Sequence, residues 1–211
     1  MSQRTNTIFA LGPAAAAAAL LLAPDARAEQ KAWYIGVNQS FTHNTNVFRR
    51  NDTVEADNIS STGVLGGLHF EPGRQRIHLD ASAQNNRFSK LSQLNNTSYS
   101  LSSGLDWQTV EHLSGSVQYN ASQNLGDYSV PGTPEVKNVQ SLKQFSASAR
   151  YGFTGVLGLE GGVQHRTIDY SFTKERNTRE NVANLGLRWG GGGPVSLGVA
   201  GRVTHGDSPN Y

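Results

Sequence analysis

The chain has 211 residues, 36% of them apolar, with 18 Lys and Arg against 16 Asp and Glu and no cysteine. Charges this balanced and scattered exclude a nucleic-acid partner, which needs clustered Lys and Arg to displace counterions from phosphates, and the missing thiols exclude a disulfide framework or a thiolate metal site. A mean hydropathy of −0.46 fits an ordinary water-soluble domain, so only the period of the pattern can say otherwise.

Residues 1–28 read as an export signal peptide. Arg4 supplies a positive start, Ala14 to Ala23 an unbroken apolar stretch, and Ala26-Arg27-Ala28 a small-x-small cleavage site, with cleavage expected before Glu29. The stretch is too short to span a bilayer, and no later segment approaches the ~18 consecutive apolar residues of a spanning helix. The mature domain, 29–211, is therefore expected to carry no helical anchor. The leader takes Arg4, Arg27 and Asp25 with it, leaving 16 basic against 15 acidic residues.

From there the sequence alternates. Trp33, Ile35, Val37 and Phe41 are apolar, while Tyr34, Gly36, Asn38, Ser40 and Thr42 between them are mostly small or polar. The pattern recurs in Tyr99, Leu101, Leu105 and Trp107, and in Val195, Leu197, Val199 and Val203. A period of two with one oily face predicts strands over 31–42, 58–70, 75–86, 98–108, 113–123, 139–151, 156–168, 180–189 and 195–205. Short connections at 71–74, 109–112, 152–155 and 190–194, several rich in Gly or Pro, alternate with long polar ones at 43–57, 87–97, 124–138 and 171–179.

Lipid wets one face of each strand in a membrane barrel, so average hydropathy stays low; backbone groups in hydrocarbon must all be paired, which requires a closed sheet. The expected fold is all-β, an antiparallel up-and-down transmembrane β-barrel in the outer membrane of a Gram-negative bacterium. Nine strands make an odd count, and Asp207 and Pro209 occupy the alternate positions before Tyr211 where a closing strand carries apolar side chains. The chain is thus expected to be an incomplete, N-terminal part of a larger barrel, with a complete eight-stranded barrel as the alternative.

Pairing Phe70 with Gln75 across the first short turn sets Leu68 opposite Ile77, Gly66 opposite Leu79 and Val64 opposite Ala81, so the apolar faces coincide. Gly67, His69, His78 and Ser82 fall on the other face. So do Arg76, Asp80, Asp106, Arg150, Glu160, Arg166, Arg188 and Arg202, which are the candidate lumen-lining residues. These charges either set the preference of a conduit or pair and plug it, Glu160 with Arg188 for example. Lys143 is the exception on the oily face, tolerable there if it snorkels to an interface. Trp33, Tyr34, Phe70, Trp107, Tyr151 and Trp189 predict an aromatic girdle at the short-turn rim. In the loops, Phe48, Phe88, Tyr128, Tyr170 and Phe172 are candidates for stacking on sugar rings or, alternatively, for bracing the loops.

Specific residues carry a resemblance. Thr42-His43-Asn44-Thr45-Asn46-Val47-Phe48-Arg49, then Gly73-Arg74-Gln75-Arg76 opening a strand, then Asn86 to Leu91 and Leu94 to Thr97, resemble the EpsL-type outer-membrane proteins of exopolysaccharide-biosynthesis loci. Ser103 to Trp107 with Leu113-Ser114-Gly115 is similar to the next hairpin of that family, and the resemblance covers roughly residues 33–150. Family members commonly have Asp where Asn44 stands, and they run well beyond this length with further strands. The resemblance implies a porin-like β-barrel acting in synthesis or export of an extracellular polysaccharide, as a conduit or as a docking component for other export-apparatus proteins. It implies no catalytic role and no cofactor.

Other chemistry has little footing. The six histidines include no His-Glu-x-x-His, and of them His69 and His78 with Asp80 could approach a metal across one hairpin. His165 and Ser171 are the nearest approach to a lipid or ester hydrolase pair, with no orienting acid and no Gly-x-Ser-x-Gly elbow. The expected partners are outer-membrane lipid and polysaccharide, with no metal and no cofactor; a general diffusion porin is the main competing reading.

Overall fold

The structure, a computed structural model, describes residues 32–51, 54–128, 134–153, 157–190 and 195–209. The leader, half of the turn expected at 152–155, most of that at 190–194, and Tyr211 lie outside the described residues. Nine strands follow one another in a single sheet: β1 (Trp33–Asn44), β2 (Asp57–Phe70), β3 (Arg76–Phe88), β4 (Asn96–Gln108), β5 (Leu113–Leu125), β6 (Val139–Phe153), β7 (Leu157–Tyr170), β8 (Thr178–Trp189) and β9 (Leu197–Asp207). Each is antiparallel to its neighbours, so the described chain is all-β and up-and-down.

The first short turn corrects the expected register by two residues. Phe70 faces Ile77 rather than Gln75, which places Leu68 opposite Leu79, Gly66 opposite Ala81 and Val64 opposite Ala83. The reversal is made by Gly73 and Arg74 alone: Gln75 N–H donates to Pro72 O at 3.2 Å, and Gly73 has φ +67° at the first central position, where a two-residue hairpin takes glycine. A shift of two conserves the faces, so every side chain stays on its expected side.

Outward side chains are odd-numbered in every strand except β2, where they are even-numbered. They form an apolar band that includes Ile35, Leu79, Leu101, Val117, Val163, Leu185 and Val203, while the opposite face is mostly polar, with Leu65, Leu142, Ile168 and Val182 among its large apolar side chains within the strands. The band is slanted. The register row through Trp33, the lowest outward residue of β1, reaches β9 at His205, eight residues above Leu197, the lowest of β9. Eight residues over the eight steps between strands is one residue per step; with ~3.3 Å per residue and ~4.8 Å between strands, this is a tilt of about 35° against the band, within the range of barrel strands.

Burial is inverted relative to a water-soluble fold. Val37 is 83% exposed and Val203 72%, and the buried apolar cluster of Val47, Phe48, Phe88 and Leu94 is instead in the long connections and their strand ends. The sheet is open: among the described residues β1 and β9 each pair on one side. Both run the same way, as an odd count dictates, so an antiparallel ladder joins them only through an odd number of intervening strands.

Candidate functional site: the polar inner face

The sheet curls toward its polar face. One concavity of about 670 Å³ draws its lining from β3 (Arg76) through β8 (Asn184), and a second of about 320 Å³ reaches from Ser116 on β5 to Arg202 on β9. The lining of the second is mostly polar or small, with Ser116, Gln118, Ser146, Ser148, Gly162, Gln164 and Asn184, and the buried Val182 is an apolar side chain among them. Short hydroxyl and amide side chains leave this wall hollow, whereas the interior of a small filled barrel is occupied by bulky ones.

All eight candidate lining residues stand on this face. Register places Arg76 opposite Asp106, Arg150 opposite Glu160, Arg166 opposite Glu180 and Arg202 opposite Asn184. The expected Glu160–Arg188 ion pair does not form, because Glu160 stands opposite Gly186, and Arg188 Nη2 donates to Ser196 Oγ at 3.1 Å. Arg76 Nε lies 3.5 Å from Glu71 Oε1, back toward the turn. The charges are segregated: β3 and β4 carry Asp80 and Asp106 with Arg76, whereas β6 to β9 carry Arg150, Arg166, Arg188 and Arg202 with Glu160 and Glu180.

Tyr34 is a correction to the girdle. Its ring turns inward, and its hydroxyl donates to Asp80 Oδ1 at 2.7 Å, while His69 Nε2 meets both Asp80 oxygens at 3.0 and 3.1 Å. A Cβ on Gly67 would come within 2.3 Å of the Tyr34 ring and 2.6 Å of Asp80 Oδ1, so glycine at this point admits the cluster. Among the described residues, no group of three His, Asp or Glu side chains is arranged to hold a metal ion. Trp33, Phe70, Trp107, Tyr151 and Trp189 do face outward near the short turns.

The hydrolase candidates are not brought together. His165 is on the outward face, Nδ1 at 2.7 Å from Asn181 Oδ1 and Nε2 at 3.1 Å from Thr167 Oγ1, and Ser171 Oγ accepts from Val139 N–H at 2.8 Å.

The long connections form a braced layer. Phe48 and Phe88 are buried, and Phe48 meets the Tyr128 ring edge-on at 5.1 Å, leaving neither phenylalanine a free face for a sugar. Tyr128 and Tyr170 are partly buried, and burial pushes the Tyr128 phenol up; Phe172 is 56% exposed. Arg50 Nε binds Glu135 Oε1 at 2.5 Å and Lys137 Nζ donates to Asn95 O at 2.5 Å, tying the third long connection to the first and second.

The residues that organise this layer escape a strand-by-strand reading. Asp57, 1% exposed at the loop-side tip of β2 and well beyond the apolar band, accepts from the backbone N–H groups of Asn58, Lys90 and Leu91 at 2.7–3.1 Å. Burial alone would raise its carboxyl, but the backbone donors of Leu91, Lys90, Asn58 and Ser89 outweigh it and hold the pKa below the ordinary value. Asn138 does the same work before β6, its Oδ1 accepting from Phe172 and Thr173 N–H at 3.0 and 3.4 Å. Asn95 and Asn177 each cap a strand end seven residues back, on Phe88 and Tyr170 N–H, both at 2.7 Å.

Asn95 and Asn177 belong to an internal repeat with an offset of 82 residues, and Asp57 and Asn138, 81 apart, act on backbone N–H groups that are 82 apart, Leu91 and Thr173. Phe88-Ser89 corresponds to Tyr170-Ser171, Asn95 to Asn177, and Gly104-Leu105-Asp106-Trp107 to Gly186-Leu187-Arg188-Trp189. The unit β2–β3–β4 therefore recurs as β6–β7–β8, at an offset of 82 for β3 and β4 and of 81 for β2, which keeps outward Val64 and Phe70 matched to outward Phe145 and Tyr151, and with the charge at one inner-face position reversed from Asp106 to Arg188.

No protein-family model matches the chain, nor does any curated protein or solved structure.

Proposed function

We propose that the protein is an integral outer-membrane β-barrel component of an exopolysaccharide biosynthesis and export system, with its polar inner face as the path for sugar or as a docking element of the apparatus. The observation that carries the reading is the inverted sheet: a slanted apolar band outside and a hollow wall of hydroxyls and amides inside. Acyl chains would cover the first, at a place where an exposed apolar surface of this extent would aggregate in water. Ser116, Ser148, Gln164 and Asn184 offer the second as a hydrated track whose groups exchange hydrogen bonds with sugar hydroxyls at little cost. The link to exopolysaccharide rests on the resemblance of residues 33–150 to the EpsL-type proteins. Bond chemistry has no place in this reading, and outer-membrane lipid, the polymer and neighbouring export proteins are its partners.

A general diffusion porin is the second reading, favoured by the same small inner side chains, which also suit unselective passage of small solutes. Removing the protein from its host separates the two. A conduit or docking component predicts loss of surface polysaccharide with unchanged uptake of small solutes. Normal polysaccharide with reduced solute uptake, and vesicles that swell equally in any small sugar or amino acid, would favour the porin.

A further inference from the structure

We infer that the outward face above the apolar band is a docking collar for phosphorylated glycolipid headgroups of the surrounding leaflet, with Lys143 and Arg179 converging on one phosphate. The inference rests on the outer-membrane reading above.

On β2 and β7 the strands outlast the oily band, while on β1 the exposed Phe41 reaches into the collar opposite Ser60. On β2, six residues separate Val64, the top of the band, from Asn58, with outward Thr62 and Ser60 between; on β7, six separate Val163 from Asp169, with outward His165 and Thr167 between. Six residues at ~3.3 Å, tilted about 35°, stand roughly 16 Å tall. A phospholipid headgroup layer is only about 5–7 Å deep on each side of a bilayer. The collar is deeper than such a layer, which leaves room for the sugars of a glycolipid headgroup.

Its chemistry points the same way. Within the collar, amides and hydroxyls engage each other, Thr62 with Gln39 at 2.5 Å and Ser141 with Gln123 at 3.4 Å, and can trade these bonds with sugar hydroxyls. Every charged side chain on the outward face of the described strands lies in this collar, whereas all three tryptophans are at the opposite rim. Tryptophan suits a phospholipid interface, and cations suit anionic headgroups. The two boundaries are therefore built for different leaflets.

Lys143 and Arg179 occupy one register row on either side of Thr167, two strand spacings or about 9.6 Å apart, within reach of a shared phosphate. Lys143 stands just above Phe145 and is exposed. The outward carboxylates nearby are Asp169, one dyad higher, and Asp207, opposite Arg179 on β9; neither forms an ion pair with Lys143 or Arg179 among the described residues.

The test reconstitutes the full chain into phosphatidylcholine vesicles containing either bis-phosphorylated lipid A or the same glycolipid with its phosphates removed, then extracts into neutral detergent and measures glycolipid retained per protein. The expected result is retention of the phosphorylated form, lost roughly ten- to thirty-fold in the K143Q/R179Q double variant and kept in K143R/R179K. Equal retention of the dephosphorylated glycolipid by the unaltered protein would overturn the inference whatever the variants do, as would full retention by K143Q/R179Q. Insertion into phosphatidylcholine without preference defeats this inference alone; failure to insert in any vesicle defeats the outer-membrane reading with it.

Discussion

Single side chains decide how the loop layer is held. Asp57 is ionised and accepts backbone N–H groups in the fold, which lowers its pKa relative to the unfolded chain. A depressed carboxylate contributes stability that is present above its unfolded pKa of about 3.9 and disappears as pH falls through the lower folded value. Protection of the Lys90 and Leu91 amides, taken as exchange relative to an unstructured peptide at the same pH, should therefore be high at neutral pH and fall below about pH 4, and Asp57→Ala should lower it roughly tenfold or more at pH 7. Unchanged exchange in that variant would remove Asp57 from its bracing role. Asp57 and Asn138 look like any polar residue ahead of a strand, and their partners are more than thirty residues away, so only the repeat exposes them. Tyr34 escaped for the opposite reason: its ring matches a girdle by type, and parity alone turns it inward.

At the scale of the element, alternation makes strand existence and facing legible, and it cannot fix register finely. A slip of two residues at Gly73–Arg74 leaves both faces intact, which is why Asp80 falls on the expected side although it stands opposite Gly67 rather than Leu65. Alternation also ends where the apolar band ends. The ladder continues beyond it through Asn86, Arg87 and Phe88 on β3 and Asn96 and Thr97 on β4, since backbone hydrogen bonds need no oily side chain. The same parity gives a paired prediction. Val163→Arg puts a charge on the band and should cost ~2–4 kcal/mol of vesicle-inserted stability in urea titrations, while Gln164→Arg, one residue on, should cost little. Equal costs for the two would contradict the assignment of faces.

For the whole molecule, the slanted band is what distinguishes this sheet from an ordinary amphipathic one. A flat apolar boundary crossed by strands that shift one residue per step implies a slab with a normal, and the aromatic rim at the short turns with the charged collar above gives that slab two unlike sides. Composition hides all of this, since half of each strand is polar by design of the environment. The most direct measurement uses the absence of native cysteine. Single cysteines at Val163, Ala183 and Val203, and at Gln164, Asn184 and Arg202, are introduced into vesicle-reconstituted protein and challenged with a membrane-impermeant maleimide and with a lipid-soluble one. The odd positions should resist the first and react with the second, and the even positions should react with the first. Odd positions labelled as fast as even ones, or a protein that stays monomeric in buffer without detergent, would contradict the account.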